Sequence, residues 1–236
     1  MLSIQNQSFK DYDVWIIDNN SNDGTLEYLK TLEKPFFWKS EPDLGVYDAM
    51  NKGIALSSGK WLYFLGSDDK LYNDHILNTV FTKSIENQTQ LIIGSIKYDL
   101  KKGDIVYTNQ KEGVVTSSWS KKLWIKNSVH HQAVFYKRDL FSNLKYEVKY
   151  KILADHAFNL KLFKNNIKVK TIDDIIALCG TDGQSKDYKW DLYNEEITLK
   201  ISESSIMLKP FFVIIGLAKY LLKKLRIRNF IHIFNL

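Results

Sequence analysis

The chain places Asp68 and Asp69 side by side in "FLGSDDKLY", directly behind an apolar run. Two adjacent carboxylates repel, and one tends to keep its proton unless a cation lies between them. Mg2+ and Mn2+ take hard oxygen ligands and often share them with substrate phosphates, so the pair reads as a metal site that offsets charge on a departing diphosphate. It reads equally as a solvated turn, with Asn73 the better cap for the helix that follows. In "IIDNNSNDGT", Asp18 closes another apolar run. It either accepts a hydrogen bond from a nucleobase or opens a turn in which Ser21 or Asp23 caps a helix. In "SEPDLGVYDAMNKGI", Asp43 and Gly45 precede a helix. Gly45 allows close approach of a ligand to the backbone, and a helix N-terminus favours an anion. Asp43 itself reads as a ligand contact or as a cap. Asp155 opens "ADHAFNLKLF" as a helix cap or, if it faces a crevice, as a general base. The pair His130–His131 is structural, or else His131 reaches a metal held by Asp69.

These residues need elements to hold them. Short apolar runs predict buried strands over 13–18, 36–40 and 60–66, with helices over 24–32 and 45–59 between them. The second helix is expected to show Val46, Ala49, Met50, Gly53 and Ile54 on one face and to stop at Gly59. A helix is expected over 73–86, and antiparallel strands in "LIIGSIKYD" and "DIVYTNQ". A strand follows over 132–137 with a turn from Arg138 to Phe141, then a helix over 152–166, a strand in "KVKTIDDIIALCG" and a helix over 187–204. Strand–loop–helix repeats with acids just past strand ends describe an α/β sheet that binds ligands outside the carboxyl ends of its strands. Asp18 and the Asp68–Asp69 pair are expected to share such a crevice.

Of 236 residues, 44% are hydrophobic and 25% charged, which is enough for one sizeable core and argues against disorder. A single cysteine, Cys179, excludes an internal disulfide and fits a reduced, cytoplasmic setting. The first residues lack the basic and apolar regions of a signal peptide. The net charge is +6, and from Ser205 onward Lys209, Lys219, Lys223, Lys224, Arg226 and Arg228 face no acid. The body to residue 204 is therefore near neutral and not a nucleic-acid binder. The basic tail over 205–236, interleaved with Phe, Ile and Leu, suits a membrane surface. Its apolar run from Ile206 to Leu222 would span only about 25 Å as a helix, short of the roughly 30 Å hydrocarbon core, so it is expected to lie in the interface or else to pack on protein.

Taken in order, "IIDNNSNDGTLEYL", "SEPDLGVYDAMNKGIALSSGKWLYFLGSDD", "HHQAVFYKRDLF" and "ADHAFNLKLF" resemble the family 2 inverting glycosyltransferases, more narrowly the bacterial members that build surface polysaccharide. The resemblance covers residues 5 to about 185. It implies a GT-A fold: a Rossmann-like, mixed, mostly parallel sheet flanked by helices, here with the C-terminal helical tail. It implies a nucleotide-sugar donor, most often a UDP-sugar, and a saccharide or lipid-linked acceptor. Asp18 would contact uracil or ribose, Asp43 and Asn51 would lie along the nucleotide, Asp68 would touch ribose or metal, Asp69 would ligate Mn2+ or Mg2+, and Asp155 would be the catalytic base. The protein would sit in the cytoplasm, peripheral at the inner face of the cell membrane.

The family's first strand and its "PTYN"-like loop have no counterpart here, because "SIQNQSFKDYD" matches only the end of the helix that follows them. Free strand edges, exposed apolar surface and weak donor binding are the expected consequences. A catalytically inactive relic or a nucleotide-sugar-binding subunit is thus an alternative reading. A nucleotidyltransferase would show a Gly-rich basic loop near its start, which this chain lacks.

Overall fold

The computed structural model describes residues 1–82, 86–100, 113–181 and 189–234, with the backbone alone over 226–234. The first expected strand forms as β1 (Val14–Asp18) and pairs in parallel with β2 (Phe36–Ser40), Asp18 lying opposite Ser40. Between them α2 (Thr25–Leu29) is shorter than the apolar spacing suggested, and Asp23 holds its first turn by accepting from the Thr25 N–H. Helix α3 (Val46–Leu56) follows β2. It starts at Gly45, whose φ of +119° few residues with a side chain adopt. It ends because Ser57 turns extended, before Gly59 is reached. Its inward face also differs from expectation: Tyr47 and Ile54 are buried, while Val46 is 55% exposed.

A second, six-stranded sheet carries the core. It runs β3 (Trp61–Tyr63), β7 (Val134–Lys137), β5 (Leu91–Tyr98), β8 (Val169–Cys179) and β4 (Lys70–Leu71), with β6 (Val114–Thr116) on the far half of the β5 edge that β7 begins. The sheet is mixed, as expected. Among the described residues two strand pairs are parallel, β1–β2 and the long β5–β8, while the shorter pairs β3–β7, β5–β7, β5–β6 and β4–β8 are antiparallel. The predicted strand in "DIVYTNQ" lies outside the described residues.

The central strand is β5, buried along its first six residues, as a mainly apolar run predicts. Gly94 interrupts that run where the β5–β8 register shifts. A Cβ there would meet the Asp174 carbonyl oxygen at 2.8 Å, so the irregularity in β8 is tolerated only beside a glycine.

The two sheets stand apart. Among the described residues β1 pairs only with β2, and β3 only with β7, so both are edge strands. Helix α3 spans them: Ile17 of β1 packs at Gly53, while Tyr47 and Ile54 join Leu62 of β3 in the main core. Stacked and edge-on rings of Tyr136, Phe141, Tyr146 and Phe158 fill that core between the sheet and α5 (Ala154–Lys164). The remaining helices are α1 (Leu2–Gln5), α4 (Ile76–Thr82), α6 (Trp190–Glu203) and α7 (Lys209–Phe234). Helix α7 runs well past Leu222, where the expected apolar run ends.

Candidate active site

Asp155 lies in the first turn of α5 but does not cap it. Leu153 is the N-cap residue, and the Asp155 side chain turns inward, 5% exposed. Its Oδ2 accepts from Asn127 Nδ2 at 3.1 Å and lies 3.6 Å from His131 Nδ1. Its Oδ1 lies 2.9 Å from the Tyr47 hydroxyl, whose single proton is shared with the Ile152 carbonyl oxygen at 2.7 Å. Burial pushes the Asp155 carboxyl up, but His131 and the Tyr47 hydroxyl outweigh it and hold the group below the ordinary carboxylate value. Asp155 is therefore ionised at neutral pH. Burial and the Asp155 charge push the Tyr47 phenol well up, which keeps it a proton donor.

The entry to α5 is fixed from a distant element. Glu195 of α6 accepts the backbone N–H groups of Lys151, Ile152 and Leu153 at 2.8, 2.8 and 2.6 Å. A carboxylate at a helix start satisfies donors that have no partner within the helix.

Asp69 is 8% exposed and ties three chain segments together. Its Oδ2 accepts from the Gly66 N–H at 3.2 Å and Gln132 Nε2 at 2.9 Å, and its Oδ1 accepts from the Gly180 N–H at 3.1 Å. A Cβ at Gly66 would come within 2.6 Å of Asp69 Oδ2, so a side chain there would displace the Asp69 carboxylate. Asp68 points outward, is exposed and packs against Gly180. Neither acid caps a helix; Asn73 accepts the His75 N–H ahead of α4, as expected.

These contacts bear on two expectations. Gln132 reaches Asp69, and His131 lies against Asp155. The Asn51 amide exchanges two hydrogen bonds with the backbone of Tyr146, at 2.8 and 3.0 Å, and keeps one N–H and one acceptor position.

Beyond the start of α3, Asp18 is 7% exposed and accepts from the Ser21 N–H, the Ser21 hydroxyl and the Ser40 hydroxyl. The Ser21 and Ser40 hydroxyls hold its carboxyl below the ordinary value. The Asp43 N–H donates to the Asn19 amide oxygen at 2.8 Å, and the Asp43 carboxylate accepts the Gly45 N–H at 2.8 Å. The structure thus joins Asp18 with Asp43 at the ends of β1 and β2, and Asp69 with Asp155 through the turn His131–Ala133. Helix α3 connects the pairs, with Asp43 just before its start and Tyr47 in its first turn. Tyr47, Asn127, Gln132 and Glu195 escaped the sequence reading. Tyr47 alone left a trace, as an aromatic beside the predicted apolar face.

The resemblance implies a divalent metal. The carboxylates present suit such an ion: Asp68 is exposed, and Asp69 Oδ1 accepts only one N–H and keeps a second acceptor position. Among the described residues no three His, Cys, Asp or Glu side chains form a metal-holding group. An ion there would draw its other ligands from a diphosphate and water, as Mg2+ sites commonly do.

The family model for glycosyl transferase family 2 matches residues 1–164. A PGL/p-HBAD biosynthesis glycosyltransferase of Mycobacterium bovis is 35% identical over 170 residues, covering 69% of this chain and 62% of that protein. A Campylobacter jejuni GalNAc(5)-diNAcBac-PP-undecaprenol beta-1,3-glucosyltransferase is 34% identical over 89 residues, 36% of this chain and 28% of that protein. The chain thus spans 62% of the length of the first of these relatives. Among solved structures, S. aureus TarS in complex with UDP-GlcNAc superposes with a TM-score of 0.65 at 17% identity, over 93% of this chain and 66% of TarS. The Pyrobaculum calidifontis mannosyltransferase PcManGT, in complex with GDP-Man and Mn2+, gives 0.58 at 12% identity, over 91% of this chain and 67% of that one.

Proposed function

The chain belongs to glycosyl transferase family 2 and has the GT-A fold, and on that premise we propose that it transfers a sugar from a nucleotide-sugar, a UDP-sugar, to a hydroxyl of a saccharide or lipid-linked acceptor with inversion. The observation that carries the reading is Asp155: a buried, ionised carboxylate held by Asn127 and Tyr47 and joined through His131–Gln132 to the acids after β3.

In this mechanism Asp155 takes the proton of the acceptor hydroxyl as its oxygen bonds to the anomeric carbon. The anomeric C–O bond to the diphosphate breaks, and UDP leaves from the opposite face with the bonding electrons. One displacement inverts the centre, and no covalent enzyme intermediate forms. Asp18 and Asp43 order the loops beside the nucleoside; Asp68, with the spare acceptor position of Asp69, would hold a divalent metal. That metal, when bound, offsets the charge gathering on the leaving diphosphate. Residues to 204 carry the transfer, and 205–236 form the basic tail.

The names of the relatives support a place in bacterial glycolipid or surface-polysaccharide synthesis, and with it a cytoplasmic position at the inner face of the membrane. The test is release of UDP from UDP-sugars with Mn2+ and a lipid-linked acceptor, with the linkage read by NMR. Acceptor-dependent UDP release and an inverted anomeric centre are expected. Pyrophosphate release would point to nucleotidyl transfer, and nucleotide-sugar binding without turnover to a binding subunit.

A further inference from the structure

Helix α7 has two different apolar sides. One packs on α6. Phe212 is 4% exposed there, and Gly216 lies so close to Ile197 that a Cβ would approach its Cδ1 at 2.7 Å. On the same side Lys219 donates to both Glu196 oxygens at 2.6 Å and to the Ile125 carbonyl oxygen at 2.7 Å. The helical repeat places Phe211, Ile214, Leu221, Leu222 and Leu225 on the opposite side, where they are 52–67% exposed, with Met207 at 85% just ahead of the helix. From Phe211 to Leu225 this stripe is about 20 Å long. An apolar surface of that extent on the outside of a domain marks an interaction site.

Charge identifies the occupant. The last acid of the chain is Glu203, and every ionised side chain after it is Lys or Arg. Lys209 and Lys224 are exposed on α7 itself. A second copy docked through the same stripe would set these cations against each other. A layer of anionic headgroups over hydrocarbon answers both features. No helix among the described residues is long and apolar enough to cross a membrane.

We infer that α7 lies in the plane of an anionic phospholipid surface, with the stripe Phe211–Leu225 immersed and its cations at the headgroups. This names the partner surface for the transfer reaction proposed above, although lipid binding itself needs no turnover. The helix is also tied to the site, since the Ile125 carbonyl it holds lies two residues before Asn127, a donor to Asp155.

The test is co-sedimentation of the full chain with phosphatidylcholine vesicles that contain or lack phosphatidylglycerol, at low and high salt. Ile214→Glu/Leu221→Glu serves as the variant, because both side chains are solvent-exposed and the core should be unaffected. Light scattering gives the oligomeric state, and thermal unfolding checks the fold. Binding about tenfold or more stronger to phosphatidylglycerol vesicles, weakened by salt and lost in the variant at unchanged thermal stability, is expected. Failure of the wild-type chain to sediment with phosphatidylglycerol vesicles would overturn the inference. So would equal binding by the variant, or a dimer that the variant dissolves. UDP release with a soluble acceptor is scored separately, so loss of transfer and loss of membrane docking remain distinct results.

Discussion

His131 and Gln132, joined by one peptide bond, divide two acids between them: His131 Nδ1 lies 3.6 Å from Asp155 Oδ2, and Gln132 Nε2 donates to Asp69 Oδ2 at 2.9 Å. The turn that carries them runs into β7, whose first three residues are buried. A rigid core strand therefore sets the spacing between the proposed base and the acids proposed to hold the metal. A shift of that turn would disturb both at once.

Asp155→Asn keeps the shape of the side chain and removes the proton acceptor. UDP release should fall about 10²–10⁴-fold, the usual scale of general-base assistance, while donor affinity measured by calorimetry stays the same. Near-full turnover in this variant would remove Asp155 from the role of base.

Tyr47→Phe takes away one hydrogen bond to the ionised form of Asp155. That raises the Asp155 pKa, so the acidic limb of the rate–pH profile should move to higher pH with little change at the plateau. The linked stability follows the same sign. Because the folded-state value is depressed, ionised Asp155 stabilises the protein above the ordinary carboxylate range of about 3.9, and this contribution is lost as pH falls through the lowered value. An unchanged limb in Tyr47→Phe would show that the shared phenolic proton rests on the Ile152 carbonyl.

Asp68 and Asp69 should separate in function although they are adjacent. Asp69→Ala strands the Gly66 and Gly180 N–H groups and should lower unfolding stability by about 1–3 kcal/mol. Asp68→Ala removes an exposed side chain and should change stability by less than about 0.5 kcal/mol. It should nevertheless raise the Mn2+ concentration needed for half-maximal activity. The reverse order of stabilities in urea titrations would contradict the hydrogen-bond assignment.

Glu195→Ala removes the acceptor for three N–H groups at the entry of α5. Denaturant unfolding should show a loss of about 1–3 kcal/mol. Turnover should also drop, because the turn carrying Asp155 loses its anchor, while the half-saturating donor concentration holds. A change confined to donor affinity would place Glu195 outside the positioning of Asp155.

The elements were legible because their signals are local. The apolar run of β5, the short strand ending at Asp18, and the helices beginning near Gly45 and Asp155 all show in neighbouring residues, whose period reports which face is buried. So does the placing of acids just past strand ends. Direction was harder to read: β7 and β6 meet β5 antiparallel, and nothing in their own residues records the orientation of a partner far along the chain.

The sequence by itself determined which residue types stand at the strand ends, the α/β layering and the acid-free basic tail. Tertiary structure decided which carboxylate oxygens and amides remain available. The Asn51 amide is tied to the backbone of Tyr146, Asp69 keeps one acceptor position beside two glycine N–H groups and Gln132, and Asp155 is a buried carboxylate rather than a cap, facing Tyr47 from 108 positions away. A side chain's role depends on which donors packing brings within about 3 Å of it, and those donors come from segments that no local period connects.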